Sequence, residues 1–533
     1  MSPNHEAGCP VFVHTFGESR QPKTSEHALE TFVQGYSEEK GEGFRFRWFH
    51  VPLNDTERAK ECLLAVQPTN TERDEQAWDW KLRPALSSIQ PPSHAIHMEP
   101  SCDHSEPQTP KKWPLSTLYL PFMVYDTYSN YKGQRTHYYP HNYETNNPRE
   151  PQNRLHPRRT LDQFFYPSIY NTADRDADQT LSKWTGNDLD RDGRRRAEDD
   201  SLLILIDQLW CWVLDDYTII SFFPSNRPEP GSELESYKFR DLYMSIRSSM
   251  DSCDSVWDLY ALLFKEASTY LLASENRRSV DLLETYRWVN NKKAANQIEC
   301  FQRFQSSELY QARSSDDQDE LNLFLEVADI IDELKMIRHL VQQQRAVLNA
   351  LIGVLRSWHV DANAPKEYGG QVQFFNNRLS GGSAVKIEVF SSRNDLEFLE
   401  NTKLSASRVA GVAKSYVIYT EETLMRLAIN LEAIQNDAEY TQKLLLGLLD
   451  LKQKTASLAE ARSTTKQGGA IMLFTIVTVI FLPLSFFTSF FGQNVSEITG
   501  DDQNPTTWEL WKLASTIFEN PLSLSQANYI TNN

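Results

Sequence analysis

The chain has no Cys-x-x-Cys pair, and its six cysteines (Cys9, Cys62, Cys102, Cys211, Cys253, Cys300) are scattered. That spacing argues against a disulfide scaffold or a zinc ribbon and fits reduced thiols. Basic charge is scarce as well: 54 Lys and Arg stand against 72 Asp and Glu, for a formal net charge of −18. A nucleic-acid binder carries a basic surface, so no nucleic-acid partner is expected. The polar N-terminus leads into no apolar h-region, and no signal peptide is read there. A Gly-rich phosphate loop, a serine nucleophile elbow and a catalytic Cys–His pattern are all missing, so an enzyme is the least supported class and no organic cofactor is implied.

One absence is of another kind. Residues 470–491 contain no charge at all. At 1.5 Å per residue they reach roughly 33 Å, enough for a bilayer core of about 30 Å. The mean hydropathy of −0.53 shows that the rest is water-compatible. The chain reads as a soluble body attached to one transmembrane helix.

The remaining organisation comes from pattern. Residues 1–42 are polar and aperiodic and read as a disordered N-terminal arm. Residues 43–300 read as a cytosolic mixed α/β domain with long loops. In it, 44–53 alternates aromatic and basic residues like a strand with one buried face. The run 201–224 is very apolar but is interrupted by Asp207, Asp215 and Asp216, which suits two buried strands joined by a tight Asp215-Asp216 turn. Helices are expected over 233–250 and 254–290. Residues 319–467 read as long stalk helices, with one apolar seam from Leu323 to Trp358 that carries Gln344 and a second from Leu424 to Leu448 that carries Thr441. Seams of this length suit coiled packing in a hairpin or an oligomer, and equally an ordinary helical bundle. The fold class is therefore α+β: a mixed α/β domain, then stalk helices, then one C-terminal span over 470–491 and an extracytoplasmic loop and tail over 492–533.

Two metal-like patterns are weak. His94, His97, Cys102 and His104 sit in a Pro-rich loop with no second element at fixed spacing. Residues 188–199 open like a calcium loop, but Arg194, Arg195 and Arg196 put positive charge where the ion would sit. A solvated loop is the preferred reading of both.

The span itself is patterned. Thr475, Thr478, Leu482, Ser485, Ser489 and Gly492 step by three and four along one helix face. Such a stripe suits a wet pore or close packing on sister copies, because hydroxyls can hold a hydrated cation such as Mg²⁺, which sheds water reluctantly. The other reading is that the hydroxyls bond back to their own helix carbonyls. Lys452, Lys454, Arg462 and Lys466 precede the span, whereas Glu497, Asp501, Asp502 and Glu509 come after it before Lys512. By the positive-inside rule the N-terminal body is cytoplasmic and Asn494 faces the other side of a membrane the sequence does not specify.

The run Ile480-Phe481-Leu482-Pro483-Leu484 through Gly492-Gln493-Asn494 resembles the first transmembrane helix of the CorA family of Mg²⁺ channels, which ends in Gly-Met-Asn. Residues 448–454 and 459–462 resemble the stalk of CorA-like proteins of filamentous fungi, and 48–53, 119–122 and 207–212 resemble parts of their body. The likeness covers roughly 44–524. It implies a pentamer, or assembly with two-span CorA-like relatives, in a lipid membrane, with Mg²⁺ as the transported ion and passive, channel-type conduction. By position, Gly492, Gln493 and Asn494 would form the ion selectivity loop, with Asn494 facing the metal, and Thr475, Thr478, Leu482, Ser485 and Ser489 would line the pore.

The chain departs from that pattern in three places. Gln493 replaces Met, no second apolar run comes before Asn533, and Gly468-Gly469 stand where a continuous helix is expected. These departures keep a second class open: a single-pass, membrane-anchored, oligomeric interaction or regulatory protein without transport.

Overall fold

The computed structural model describes residues 10–19, 21–36, 43–66, 97–104, 115–131, 158–167, 169, 172–185, 201–224, 242–272, 280–306, 314–359, 409, 411–492 and 495–519. The chain divides into two compact units, one of residues 1–306 and 312–446 and one of 307–311 and 447–533.

The first unit is built on a mixed sheet. Its strands are β1 (Pro10–Phe16), β2 (Lys23–Ala28), β3 (Phe46–Val51), β4 (Ser101–His104), β5 (Ser116–Thr127), β6 (Arg159–Thr160), β7 (Leu202–Asp215) and β8 (Thr218–Phe222). The order is β2-β1-β3-β8-β7-β5-β4, with β6 also paired to β7. Among the described residues only β3–β8 is parallel; the other pairs are antiparallel. The long pair β5–β7 runs in register from Ser116↔Val213 to Thr127↔Leu202.

Both faces of this sheet are covered, and this decides its sequence. β7 is almost continuously apolar and is buried along its length. Against one face pack α1 (Leu29–Gly35) and α2 (Thr56–Val66), closing a core of Val11, Val13, Phe32, Phe49, Leu63, Trp210 and Trp212 among others. Several buried polar side chains on β7 have partners, although Trp212 Nε1 has no hydrogen-bond partner among the described residues. Gln208 exchanges hydrogen bonds with the Met98 backbone (2.8 and 2.9 Å) and accepts from Trp210 Nε1 at 3.0 Å. Asp207 meets Arg158 Nε at 3.1 Å, which explains a carboxylate inside an apolar strand.

The structure corrects several expectations. The segment expected as a disordered arm contributes β1, β2 and α1: Val11, Val13 and Phe16 are buried, and His14 bonds Thr24 and Tyr243. β3 is buried on both faces, with Arg47 set against the rings of Tyr36, Phe44 and Phe49. The β7–β8 hairpin exists, but its turn is Asp216-Tyr217, one residue later than expected, because Asp215 Oδ1 accepts the Tyr217 N–H at 2.8 Å. Past the short β6 come three small helices, α3 (Leu161–Phe165), α4 (Ala173–Ala177) and α5 (Thr180–Thr185). Within the spans expected as helices over 233–250 and 254–290, the described residues form α6 (Leu242–Ser249), α7 (Val256–Thr269) and the start of α8 (Leu282–Ser306), while 233–241 and 273–279 lie outside the described residues.

Two long helices come next, α9 (Ser314–His359) and α10 (Gly411–Phe491). The seam residues Leu323, Val327, Ile330, Leu334, Ile337, Val341, Leu348, Leu351 and Leu355 on α9 are all buried, as are Leu424, Leu427, Leu431, Ile434, Ala438, Leu445 and Leu448 on α10. Gln344 breaks the α9 seam for a reason: its Nε2 donates to the Pro121 carbonyl at 2.9 Å, on the side of β5 that β4 no longer covers. Arg345 bonds Glu421 at 3.1 Å, and Arg338 bonds Gln435 at 3.0 Å, tying α9 to α10. The start of α10 is fixed by one carboxylate. Asp258 closes the capping box of α7 with Ser255 and also accepts the Ala413 N–H at 2.9 Å.

The second unit comprises the rest of α10, then α11 (Ser496–Thr499) and α12 (Thr507–Glu519). Gly468 and Gly469 lie within α10, which is continuous across them. A Cβ at either would meet nothing within 4 Å, so neither glycine serves a close approach there.

Candidate functional site

The chemistry-bearing segment is the end of α10. Among the described residues past Leu448 the helix keeps none buried, and its apolar side chains stand outward: Ile471 is 65% exposed, Phe474 73% and Phe481 58%. None of its span-length apolar window is buried in the chain. A run of bulky apolar side chains of this extent is not stable against water and calls for lipid or other chains to cover it.

Thr475, Leu482, Ser485 and Ser489 lie exposed along one face, with Thr478 half-buried among them. Within this chain they gather around nothing described. Three of the hydroxyl protons are turned inward: Thr475 Oγ1 donates to the Ile471 carbonyl at 2.8 Å, Thr478 to Phe474 at 2.8 Å and Ser485 to Leu482 at 2.9 Å. Thr488, which the stripe omits, donates to both Leu484 and Ser485 at 3.0 Å. The back-bonded reading is thus the observed geometry, and it does not oppose the pore reading. A hydroxyl whose proton is committed to its own backbone offers only lone pairs outward. At these three positions the face offers acceptors, suited to the water protons of a hydrated cation. Pro483 lies inside the helix, where it removes one backbone donor.

The helix closes at Gly492, whose N–H donates to the Thr488 carbonyl at 2.9 Å. A Cβ on residue 492 would stand 2.9 Å from that same carbonyl oxygen, so a glycine is needed to end the helix in this way. Gln493 and Asn494, assigned to the selectivity loop, lie outside the described residues. The segment from Val495 onward is ordered by local bonds. Val495 is buried, Gly500 takes a left-handed φ of 71° after α11, and Glu497 accepts from Thr507 N (2.9 and 3.1 Å) and Thr507 Oγ1 (2.9 Å). Those bonds hold the Glu497 carboxyl below the usual carboxylate range. The acidic stretch after the span is thereby fastened to the N-terminus of α12.

Elsewhere the metal-like patterns do not assemble. Among the described residues no three His, Cys, Asp or Glu side chains come together as ligands. His94 and residues 188–199 are outside the described residues. Cys102 is buried beside Tyr260 Oη at 3.5 Å, and burial pushes its thiol up to about 12, far from the thiolate a metal needs.

No curated protein matches the chain. Residues 399–518 match the family model described as CorA-like Mg2+ transporter protein. The match takes in α10, the apolar run, the acidic loop and nearly all of α12, and leaves the α/β body outside. Residues 399–518 are thus similar to the CorA-like Mg2+ transporter family, and they contain one apolar helix of membrane-spanning length that follows the mixed α/β region.

Proposed function

We propose that this chain is a subunit of a passive, channel-type divalent-cation transport protein with Mg²⁺ as its substrate. In this reading residues 470–491 cross the membrane and copies of the chain assemble, as a pentamer by family resemblance. Thr475, Thr478, Leu482, Ser485 and Ser489 then face the ion path, and Gly492, Gln493 and Asn494 form its outer mouth, with the Asn494 amide oxygen toward the hydrated ion. Lys452, Lys454, Arg462 and Lys466 place the body on the cytoplasmic side.

The observation that supports this reading is the hydroxyl face, back-bonded at Thr475, Thr478 and Ser485, on an uncovered, span-length helix inside the CorA-like match. Hydroxyl oxygens and the first water shell can hold Mg²⁺ without stripping it, which matters because the ion dehydrates reluctantly. An anchored oligomeric protein needs the same span and can use the stripe for helix packing, so uptake, and not the stripe, separates the two readings. The test is Mg²⁺ uptake by a magnesium-transport-deficient strain expressing the chain, with membrane insertion verified. Restored uptake is the expected result; uptake equal to the empty vector, with the protein inserted, refutes transport.

A further inference from the structure

Helix α12 is two-faced. In its sequence Glu509, Lys512, Thr516 and Glu519 step by three, four and three and so fall on one narrow edge, while Leu510, Trp511, Leu513, Ile517 and Phe518 take the opposite arc. Trp508 stands at the border, with Lys512 Nζ 5.8 Å from its ring centre. A capping box starts the helix: Glu509 Oε2 accepts the Thr506 N–H at 3.0 Å, and Thr506 Oγ1 accepts the Glu509 N–H at 3.3 Å. The chain itself gives the tryptophans little cover, since Trp508 is 69% exposed and Trp511 53%. Two bare indoles one turn apart on an amphipathic helix call for an apolar medium.

The connection from the span decides which medium is at hand. Glu497 accepts from Thr507 N and Oγ1, the Ser496 N–H donates to the Pro505 carbonyl at 3.2 Å, and Asn504 Nδ2 donates to Thr499 Oγ1 at 2.9 Å. These bonds fold 496–507 back on itself, so α12 starts within hydrogen-bond reach of Glu497, five residues past Gly492. Five residues reach at most roughly 18 Å. With residues 470–491 in a membrane, α12 therefore begins at the membrane surface, and the apolar medium next to it is lipid. Tryptophan suits that depth, because its ring is apolar while its N–H stays wet. A course across the bilayer does not suit α12, because Glu509, Lys512 and Glu519 would enter the hydrocarbon.

Resting on the membrane reading of 470–491 given above, we infer that α12 lies flat in the headgroup layer where the span ends, with Trp508 and Trp511 seated in lipid and Glu509 and Lys512 turned to water. It thereby holds the connection between the span and itself against the bilayer. Two acids stand against one lysine in the helix, so apolar burial and not headgroup charge drives the seating, and neutral lipid suffices.

Brominated phosphatidylcholine, which quenches tryptophan at contact, reads this in the full-length protein. The span contains no tryptophan, and every one besides Trp508 and Trp511 lies at or before Trp358. In phosphatidylcholine proteoliposomes, with insertion checked by alkaline extraction, bromines near the headgroup end of the acyl chains should quench more than bromines near the chain ends. Trp508→Phe with Trp511→Phe should lower that shallow quenching at least about twofold. Leu510→Asp, which charges the apolar arc and keeps both reporters, should lower it as well, and Lys512→Gln on the polar edge should not. Equal quenching of the wild type and the double variant, with the protein inserted, overturns the proposal and leaves the span standing; protein released by alkaline extraction overturns both. Stronger quenching from the chain ends shows a crossing helix. No quenching, with both rings also shielded from aqueous iodide, shows cover by a second copy or another protein. Either result overturns the proposal, as does Lys512→Gln falling as far as Leu510→Asp.

Discussion

Replacing Thr478 with Val and Ser485 with Ala together separates the two uses of the hydroxyl face. Each hydroxyl donates only to its own helix, at 2.8 and 2.9 Å, and those carbonyls keep the acceptor role of the helix ladder when the hydroxyl is gone. The change therefore costs the fold a few tenths of a kcal/mol, as expected for substitutions that orphan no buried group. An ion path loses more. If each position gives one hydrogen bond to the water shell of a passing ion, the two together forfeit about 1–2 kcal/mol at the tightest point, or roughly five- to thirtyfold in rate. The assay is Mg²⁺ influx into proteoliposomes at matched protein density, with thermal melting run in parallel. Thr488→Val is the control: its hydroxyl is also back-bonded, but it lies about 100° round the helix from Ser489, and influx should change less than twofold. A double variant that conducts like the wild type would refute the placement of this face on the ion path, and a double variant that melts much lower would refute the claim that the hydroxyls are dispensable to the fold.

Gly492→Ala should abolish most uptake without impairing insertion. The new Cβ meets the Thr488 carbonyl at 2.9 Å, and relieving such overpacking costs about 1–3 kcal/mol and displaces the chain toward Asn494; unchanged uptake contradicts this. Asp258→Ala removes the α7 cap and leaves the buried Ala413 N–H without its acceptor, so the body should lose about 2–4 kcal/mol in urea unfolding, with Asp258→Asn intermediate; a loss below about 0.5 kcal/mol contradicts it. Burial, then Arg247, pushes the His14 imidazole down to about 3. A base depressed in the folded state gives its full support above the unfolded value of 6.5 and loses it as pH falls, so at pH 4.5 the body should be about 3 kcal/mol less stable on this account. Melting curves of His14→Gln should show a shallower acid limb, and equal limbs contradict the assignment.

The elements legible in the sequence are those whose pattern is set by local geometry. The apolar run 470–491 and the seams of α9 and α10 are read from helical periodicity, because a long helix repeats its environment turn after turn. The β7–β8 pair is read from a continuous apolar run broken by aspartates. β2 escapes because its residues, Lys23 to Ala28, are polar: an exposed edge strand has no buried stripe to announce it. The charges that matter most to the body, Arg47, Asp207 and Glu333, carry no local mark of burial. Asp207 is placed by Arg158 and Glu333 by Thr180 and Tyr286, all far along the chain, and spacing says nothing of such pairs. The stripe from Thr475 to Ser489 is legible as a face; the direction of its protons is not, since Oγ orientation depends on which carbonyl the rotamer reaches.

Back-bonding alone would let these hydroxyls sit against lipid, because it satisfies their donors without water. The sorting of side chains around the helix is the stronger argument. Leu473, Ile476, Val477, Ile480 and Leu484 occupy the arc opposite the stripe, and every one of them is exposed in the chain by itself. Thr488 marks the border between the two arcs. A helix wrapped by acyl chains on all sides has no reason to gather four of its five hydroxyls on one edge, which they share with Leu482, and Leu473, Ile476, Val477, Ile480 and Leu484 on the other. Two unlike surroundings explain that division with no further assumption: hydrocarbon on the aliphatic arc, and water or sister helices on the arc of Thr475, Thr478, Ser485 and Ser489. Gly492 falls at the end of the second arc, so the position at which the helix must stop and the position at which the oxygens run out are the same.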